Sequence, residues 1–116
     1  MADLIQPLRP GEFIATEANG RRSRENDVLA SGNNGGAGRI LSGPLGARVL
    51  CDGSAAATAV LHTGVDATTG AKTCVTMVRD CELNRSELDF GSMNPTQQTT
   101  AITQLAAVGI IVRPAV

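Results

Sequence analysis

The chain holds a single histidine, His62, and three cysteines, Cys51, Cys74 and Cys81. A metal site would have to join His62 to cysteines or carboxylates scattered along the sequence, and none of these stands at ligand spacing. A nucleophilic triad would need His62 with a hydroxyl such as Ser54 and an orienting acid such as Asp66, a grouping that no sequence signature supports. His62 therefore reads as a strand-end residue at or near the surface. The carboxylates Asp80, Glu82, Glu87 and Asp89 could pair as acid and base, but they flank a turn at Asn84 to Ser86 and read more simply as a solvated edge. An odd number of cysteines without a CxxC spacing suits a reducing compartment and small, buried, unbridged thiols. No catalytic, cofactor or metal site is expected, so the protein reads as a non-enzyme.

Anion binding fares no better. Arg21, Arg22 and Arg24 could grip phosphate, yet Glu17, Glu25 and Asp27 lie close by and favour a solvated or interface salt-bridge cluster in which Arg22, Arg24 and Glu25 are the candidates. The run SGNNGGAG (31–38) is a loop by its Gly and Asn content. It lacks the Lys-Ser/Thr and the following helix of a phosphate loop, and the dinucleotide fingerprint needs a helix there too. Ten basic against eleven acidic side chains give a formal net charge of −1, which offers no field for a phosphate backbone or an anionic membrane. No nucleic acid and no membrane partner is expected. No apolar run approaches a membrane span, and the N-terminus lacks the basic-then-apolar order of a signal peptide, so the chain reads as soluble and unexported.

Any site must be positioned by a small β framework. The 116 residues are 42% apolar and only 2% aromatic, so Ala, Val, Leu, Ile and Thr have to build the core of one domain. Between residues 39 and 62, short apolar runs alternate with Gly43, Pro44, Gly46, Asp52 and Gly53, the punctuation of short strands and tight turns. A short strand is expected around Val28 to Ala30, a turn over VDATTG (65–70), and a clear strand over KTCVTMVRD (72–80) with Cys74, Thr76 and Val78 on one face. In residues 94–113, Asn94 as N-cap, Pro95 at the first position and Gln97 completing a capping box start the one helix. Ala101, Ile102, Leu105, Ala106 and Val108 form its apolar stripe, Gly109 is its left-handed stop, and Ile110 to Arg113 returns as a strand.

Residues 1–20 are different. Pro7 and Pro10 deny them a helix, yet Leu4, Ile5, Leu8, Phe13 and Ile14 are too much apolar surface for a linker that meets only water. An extended arm that docks on a partner is expected, followed by a β-rich domain over 21–116 that starts near residue 20 and folds without the arm.

The segments TEANGRRSRENDVLASG (16–32), PLGARVL (44–50) and VDATTGAKTCVTMVRDCELN (65–84), with the closing helix and GIIVR (109–113), together resemble the lambda-type head decoration proteins of tailed bacteriophages. The most specific parts are Glu17 to Gly20 with Ser23 to Glu25, the Arg79, Asp80, Glu82 core, and the alanine-rich helix ending in Gly-Ile. The glycine-rich SGNNGGAG run departs from that pattern. The resemblance implies a mainly β fold, a small compact β-clip or β-tulip-like domain with one C-terminal helix. It also implies a structural cement protein: a homotrimer on the outer surface of the capsid at threefold sites, bound to the major capsid protein, its arm added as a strand, assembled in the host cytoplasm. A different capsid-surface or tail binding module, presenting the 31–38 loop, is the alternative reading; a small hydrolase using His62 is a third.

Overall fold

The computed structural model describes residues 14–17 and 23–114. Among them the strands are β1 (Ile14–Glu17), β2 (Arg24–Leu29), β3 (Asn33–Gly35), β4 (Ile40–Ser42), β5 (Val49–Leu50), β6 (Ala57–Leu61), β7 (Val65–Ala67), β8 (Lys72–Met77) and β9 (Cys81–Asn84). A 3₁₀ turn (Arg85–Glu87), the helix α1 (Pro95–Ala107) and β10 (Ile110–Arg113) complete the order. The fold is mainly β with one C-terminal helix, as the sequence pattern and the resemblance both imply.

Five strands form a sheet in the order β2-β8-β6-β4-β5, with neighbours antiparallel. The sheet comes back on itself. Arg48, just before β5, bridges to Leu29 at the end of β2, with Ala30 N–H donating to the Arg48 carbonyl at 2.8 Å and Arg48 N–H donating to the Val28 carbonyl at 3.0 Å. Its inner face carries Leu29, Leu41, Ala59, Leu61 and Cys74, packed with Ala67 into one core cluster. Its outer face gives Ile40, Val60 and Met77 to a second, larger cluster with Ala101 and Leu105 of α1, Leu83 of β9 and Ile110 of β10. Strands β4 and β6 are thus buried on both sides, and β8 only at its Met77 end, which is why β4 and β6 read as apolar runs and not as alternation.

A three-stranded sheet, β1-β9-β10, covers that second cluster. Strand β9 is its centre, antiparallel to β1 and parallel to β10. The helix sits between the two sheets, and its Gln104 side chain accepts from Ala57 N–H of β6 at 2.9 Å. The capping box is present as expected: Asn94 Oδ1 accepts from Gln97 N–H at 2.8 Å and Gln97 Oε1 from Asn94 N–H at 3.0 Å. Gly109 takes φ +92 and turns the chain into β10.

Four expectations are corrected. The 31–38 run is not wholly loop, because Asn33–Gly35 pairs with Val65–Ala67, and the same ladder replaces the turn expected at residues 65–67. The pairing fits because Gly35 brings its backbone against Leu50 and Leu61, where a Cβ would stand 3.1 Å from both side chains. On the helix, Ala106 and Val108 are exposed, since the chain is already leaving the core side at the last turn. Strand β2 begins at Arg24, so Glu25, Asp27 and Leu29 share a face that leads inward. Ile14–Glu17 also stands in the sheet: β1 pairs with β9, and Ile14 packs against the larger cluster.

Candidate docking surface

The outer strand β1 is where the expected arm meets the body. Ile14 stands opposite Leu83, a fully buried residue, and Thr16 and Glu17 stand opposite Glu82 and Cys81, with a register shift between Ile14 and Thr16 that bends the strand. Ile14 is half-buried, held by the core beneath it. Leu4, Ile5, Leu8, Phe13 and Arg22 lie outside the described residues. Because β1 runs antiparallel to β9, it begins toward the Asn84 end, and β10 also ends there, with Arg113 opposite Asn84. Both ends of the described chain therefore leave the body at one end of this sheet.

Polar groups cluster around that end. Arg113 donates from Nε and Nη2 to the two oxygens of Glu82 at 2.9 and 3.2 Å. These hydrogen bonds hold the Glu82 carboxyl below the usual range and raise Arg113. Asn84 Oδ1 and Glu87 Oε2 are buried without a hydrogen-bond partner among the described residues. Arg85 lies over the Phe90 ring, 5.9 Å from its centroid.

The expected salt-bridge residues divide. Glu25 accepts from Arg79 at 2.7 Å in a half-exposed pair within the chain, and Arg24 is half-buried on β2. Asp27 is not part of a solvated cluster at all. Its carboxylate is buried, with Oδ2 accepting from Arg48 Nε at 2.7 Å and Thr76 Oγ1 at 2.8 Å, and Oδ1 from Gly46 N–H at 2.7 Å and Val28 N–H at 2.9 Å. Burial pulls this carboxyl upward, but the bonds from Arg48, Gly46, Thr76 and Val28 outweigh it and leave the group below its ordinary value. Arg48 in turn donates from Nη1 to the Gly43 carbonyl at 2.7 Å and to Thr58 Oγ1 at 2.9 Å. Sequence reasoning missed this pair. The available signal was strand parity: two residues before the fully buried Leu29, Asp27 had to face inward once β2 was taken back to Arg24.

The candidates for chemistry are engaged elsewhere. His62 is half-buried with Nδ1 2.9 Å from Thr63 Oγ1, Ser54 donates to Asp52, and Asp66 accepts from Thr68. These are contacts between near neighbours in sequence. Asp80 occupies a left-handed turn at φ +53 between β8 and β9, and Asp89 accepts from Gly91 N–H. No three His, Cys, Asp or Glu side chains among the described residues could hold a metal ion together. Cys51, Cys74 and Cys81 are buried thiols outside any disulfide, and burial together with the nearby Asp27 charge pushes the Cys74 thiol up to about 11. No helix among the described residues is long and apolar enough to cross a membrane.

Among the described residues, the polar groups of this β body close sheets and hold turns. The particular family follows from comparison with known proteins. The family model for Bacteriophage lambda head decoration protein D matches residues 3–110, and the chain belongs to that family of phage capsid decoration proteins. A search of the curated proteins returned no match. The matched range takes in all but two residues ahead of β1, the strands β1 to β9 and the helix, ending on the first residue of β10.

Proposed function

We propose that the protein is a head cement protein without enzymatic activity, one that binds the major capsid protein on the outer surface of the expanded head and stabilises it. In this reading it is made in the host cytoplasm, joins finished capsids as homotrimers at threefold sites, and needs neither nucleic acid nor membrane. Residues 1–20 are the capsid-binding arm, with Leu4, Ile5, Leu8, Phe13 and Ile14 as its apolar contacts, and Arg22, Arg24 and Glu25 take part in salt bridges at the interface. The observation that carries the reading is the family match, which runs through the arm as well as the body. The position of β1 supports it, since an apolar segment continuing from an outer strand is suited to adding a strand to another sheet.

Three arms on one trimer explain how weak contacts hold. Ordering about a dozen residues costs on the order of 1 to 2 kcal/mol each, and burying five large apolar side chains returns roughly 1.5 to 3 kcal/mol each. The cost is as large as the return or larger, so one arm binds weakly. Linked arms make the later contacts intramolecular and raise affinity by factors on the order of 10² to 10⁴. The test is capsid occupancy against concentration for the full chain, for Ile5→Asp with Phe13→Asp, and for a peptide of residues 1–20, with electron microscopy of the decorated particles. Expected are protrusions at threefold positions, weak peptide binding and loss of decoration in the double variant. A peptide that binds as tightly as the full chain would overturn the arm's role as one of three linked contacts.

A further inference from the structure

Two places in the chain carry the same capping pattern, and only one of them closes. Asn94 and Gln97 bond reciprocally at the start of α1. Asn84 and Glu87 hold the same relative positions around the 3₁₀ turn Arg85–Glu87, with Asn84 as its N-cap, yet the Asn84 side chain makes no cap bond. Two acceptors are left over. Asn84 Oδ1 and Glu87 Oε2 are both buried, and neither meets a donor among the described residues. An acceptor in that state costs stability, the more so when it belongs to a carboxylate. Side chains three apart on a 3₁₀ turn eclipse one another, which sets the two acceptors on one side of it.

The chain's own cations beside this turn are committed elsewhere. Arg113, opposite Asn84 in the β9–β10 ladder, gives Nε and Nη2 to Glu82, and Arg85, between the two acceptors, lies over the Phe90 ring. Position matters as well. By strand parity Asn84 shares the outward face of β9 with Glu82, while Cys81 and Leu83 are buried beneath. It stands at the end of the three-stranded sheet where β1 begins and β10 ends, beside the root of the proposed arm. Both residues keep part of their surface exposed, so a partner reaches the side chains there and a rotation of each brings its oxygen to the contact.

We propose that Asn84 and Glu87 form a notch that takes an arginine side chain of the major capsid protein, a contact of the body in addition to that of the arm. This rests on the cement reading above and adds a polar partner group to it. The chemistry selects the group. Both open atoms are acceptors, they sit on different residues and one is anionic; a guanidinium brings a positive charge and several N–H donors in one planar fork. Because the two oxygens are already shielded from water in the free protein, bonds made to them are not offset by lost hydration.

The test uses the full chain and expanded capsids, with the free protein measured alongside. Glu87→Gln and Asn84→Ala are each expected to need at least about tenfold more protein for half decoration. The Glu87→Gln deficit is expected to shrink as salt is raised, since what it loses is an ion pair. In the free protein both variants are expected to keep or raise the thermal midpoint, because neither open acceptor has a bond to lose. An electron microscopy map of decorated particles is expected to show the 84–87 turn against the capsid, with an arginine of the capsid protein at Glu87. Unchanged decoration by Glu87→Gln, or a turn that faces solvent on decorated particles, would overturn the notch and leave the cement reading standing. A lowered midpoint in free Glu87→Gln would overturn it too, since the carboxylate would then have its donor within the chain. Capsids left bare by the unaltered chain would bring down the cement reading itself, and the notch with it.

Discussion

The two sheets handle charge in opposite ways. The five-stranded sheet returns on itself and buries Asp27 and Arg48 at the junction, with side chains 0% and 6% exposed, whereas the three-stranded sheet ends in outer strands and pairs Glu82 with Arg113 in the open. The first arrangement is costly to break, because either partner left alone would be a buried charge without compensation. The second contributes little, because water screens it and solvates each partner when they separate. The comparison teaches where the molecule is rigid and where it is available: the closed sheet supports the body, and the open sheet offers edges.

The sharpest way to break this contrast is Asp27→Ala. It strands Arg48 and frees the Gly46 and Gly43 anchors, and unfolding by denaturant should show a loss of about 3 to 5 kcal/mol. The equivalent change on the open sheet, Glu82→Gln, should leave the denaturation midpoint where it was. A comparable loss in both variants would refute the distinction.

Two truncations sharpen it further. A chain beginning at residue 14 keeps β1 and should match the full chain in stability while failing to decorate capsids. A chain beginning at residue 21 loses β1, and with it a half-buried Ile14 and a few ladder hydrogen bonds, together roughly 2 to 4 kcal/mol. Equal thermal midpoints for the two would place the core boundary near residue 20.

Acid titration reads the buried carboxylate of the closed sheet. The folded Asp27 carboxyl titrates below its ordinary value of 3.8, so its contribution is fully present above that value and is lost as pH falls through the lower, folded one. Asp27→Asn should therefore remove part of the acid dependence of stability below about pH 4, read as a flatter midpoint against pH. The smallest effect concerns the helix between the sheets: Asn94→Ala removes the cap that Gln97 N–H uses and should cost about 1 kcal/mol.

Much of this was legible in the chain. The helix was, because its start is written locally in Asn94, Pro95 and Gln97 and its end in Gly109, and capping acts over three or four residues. So was the β class, since glycine punctuation and β-branched runs are local too. The short pairing of Asn33–Gly35 with Val65–Ala67 was not, because three-residue strands carry too few side chains to set a period. Nor was the candidate docking surface as a place: the sequence showed an apolar, proline-broken segment, but only the fold put its last described residues on an outer strand beside β9.

What the sequence by itself determined is therefore whatever depends on neighbours in the chain: the caps, the turns, the apolar runs, and the lack of any spacing suited to catalysis. What only the tertiary structure decided is which distant residues share a partner. Asp27 and Arg48 are 21 positions apart, and among the arginines near Asp27 in sequence nothing local favours the distant one. The choice is made when β5 comes back against β2. A carboxylate turned inward on a closed sheet must then be met by whatever donors reach it, and Arg48, Thr76 and the Gly46 N–H are the groups the closure delivers.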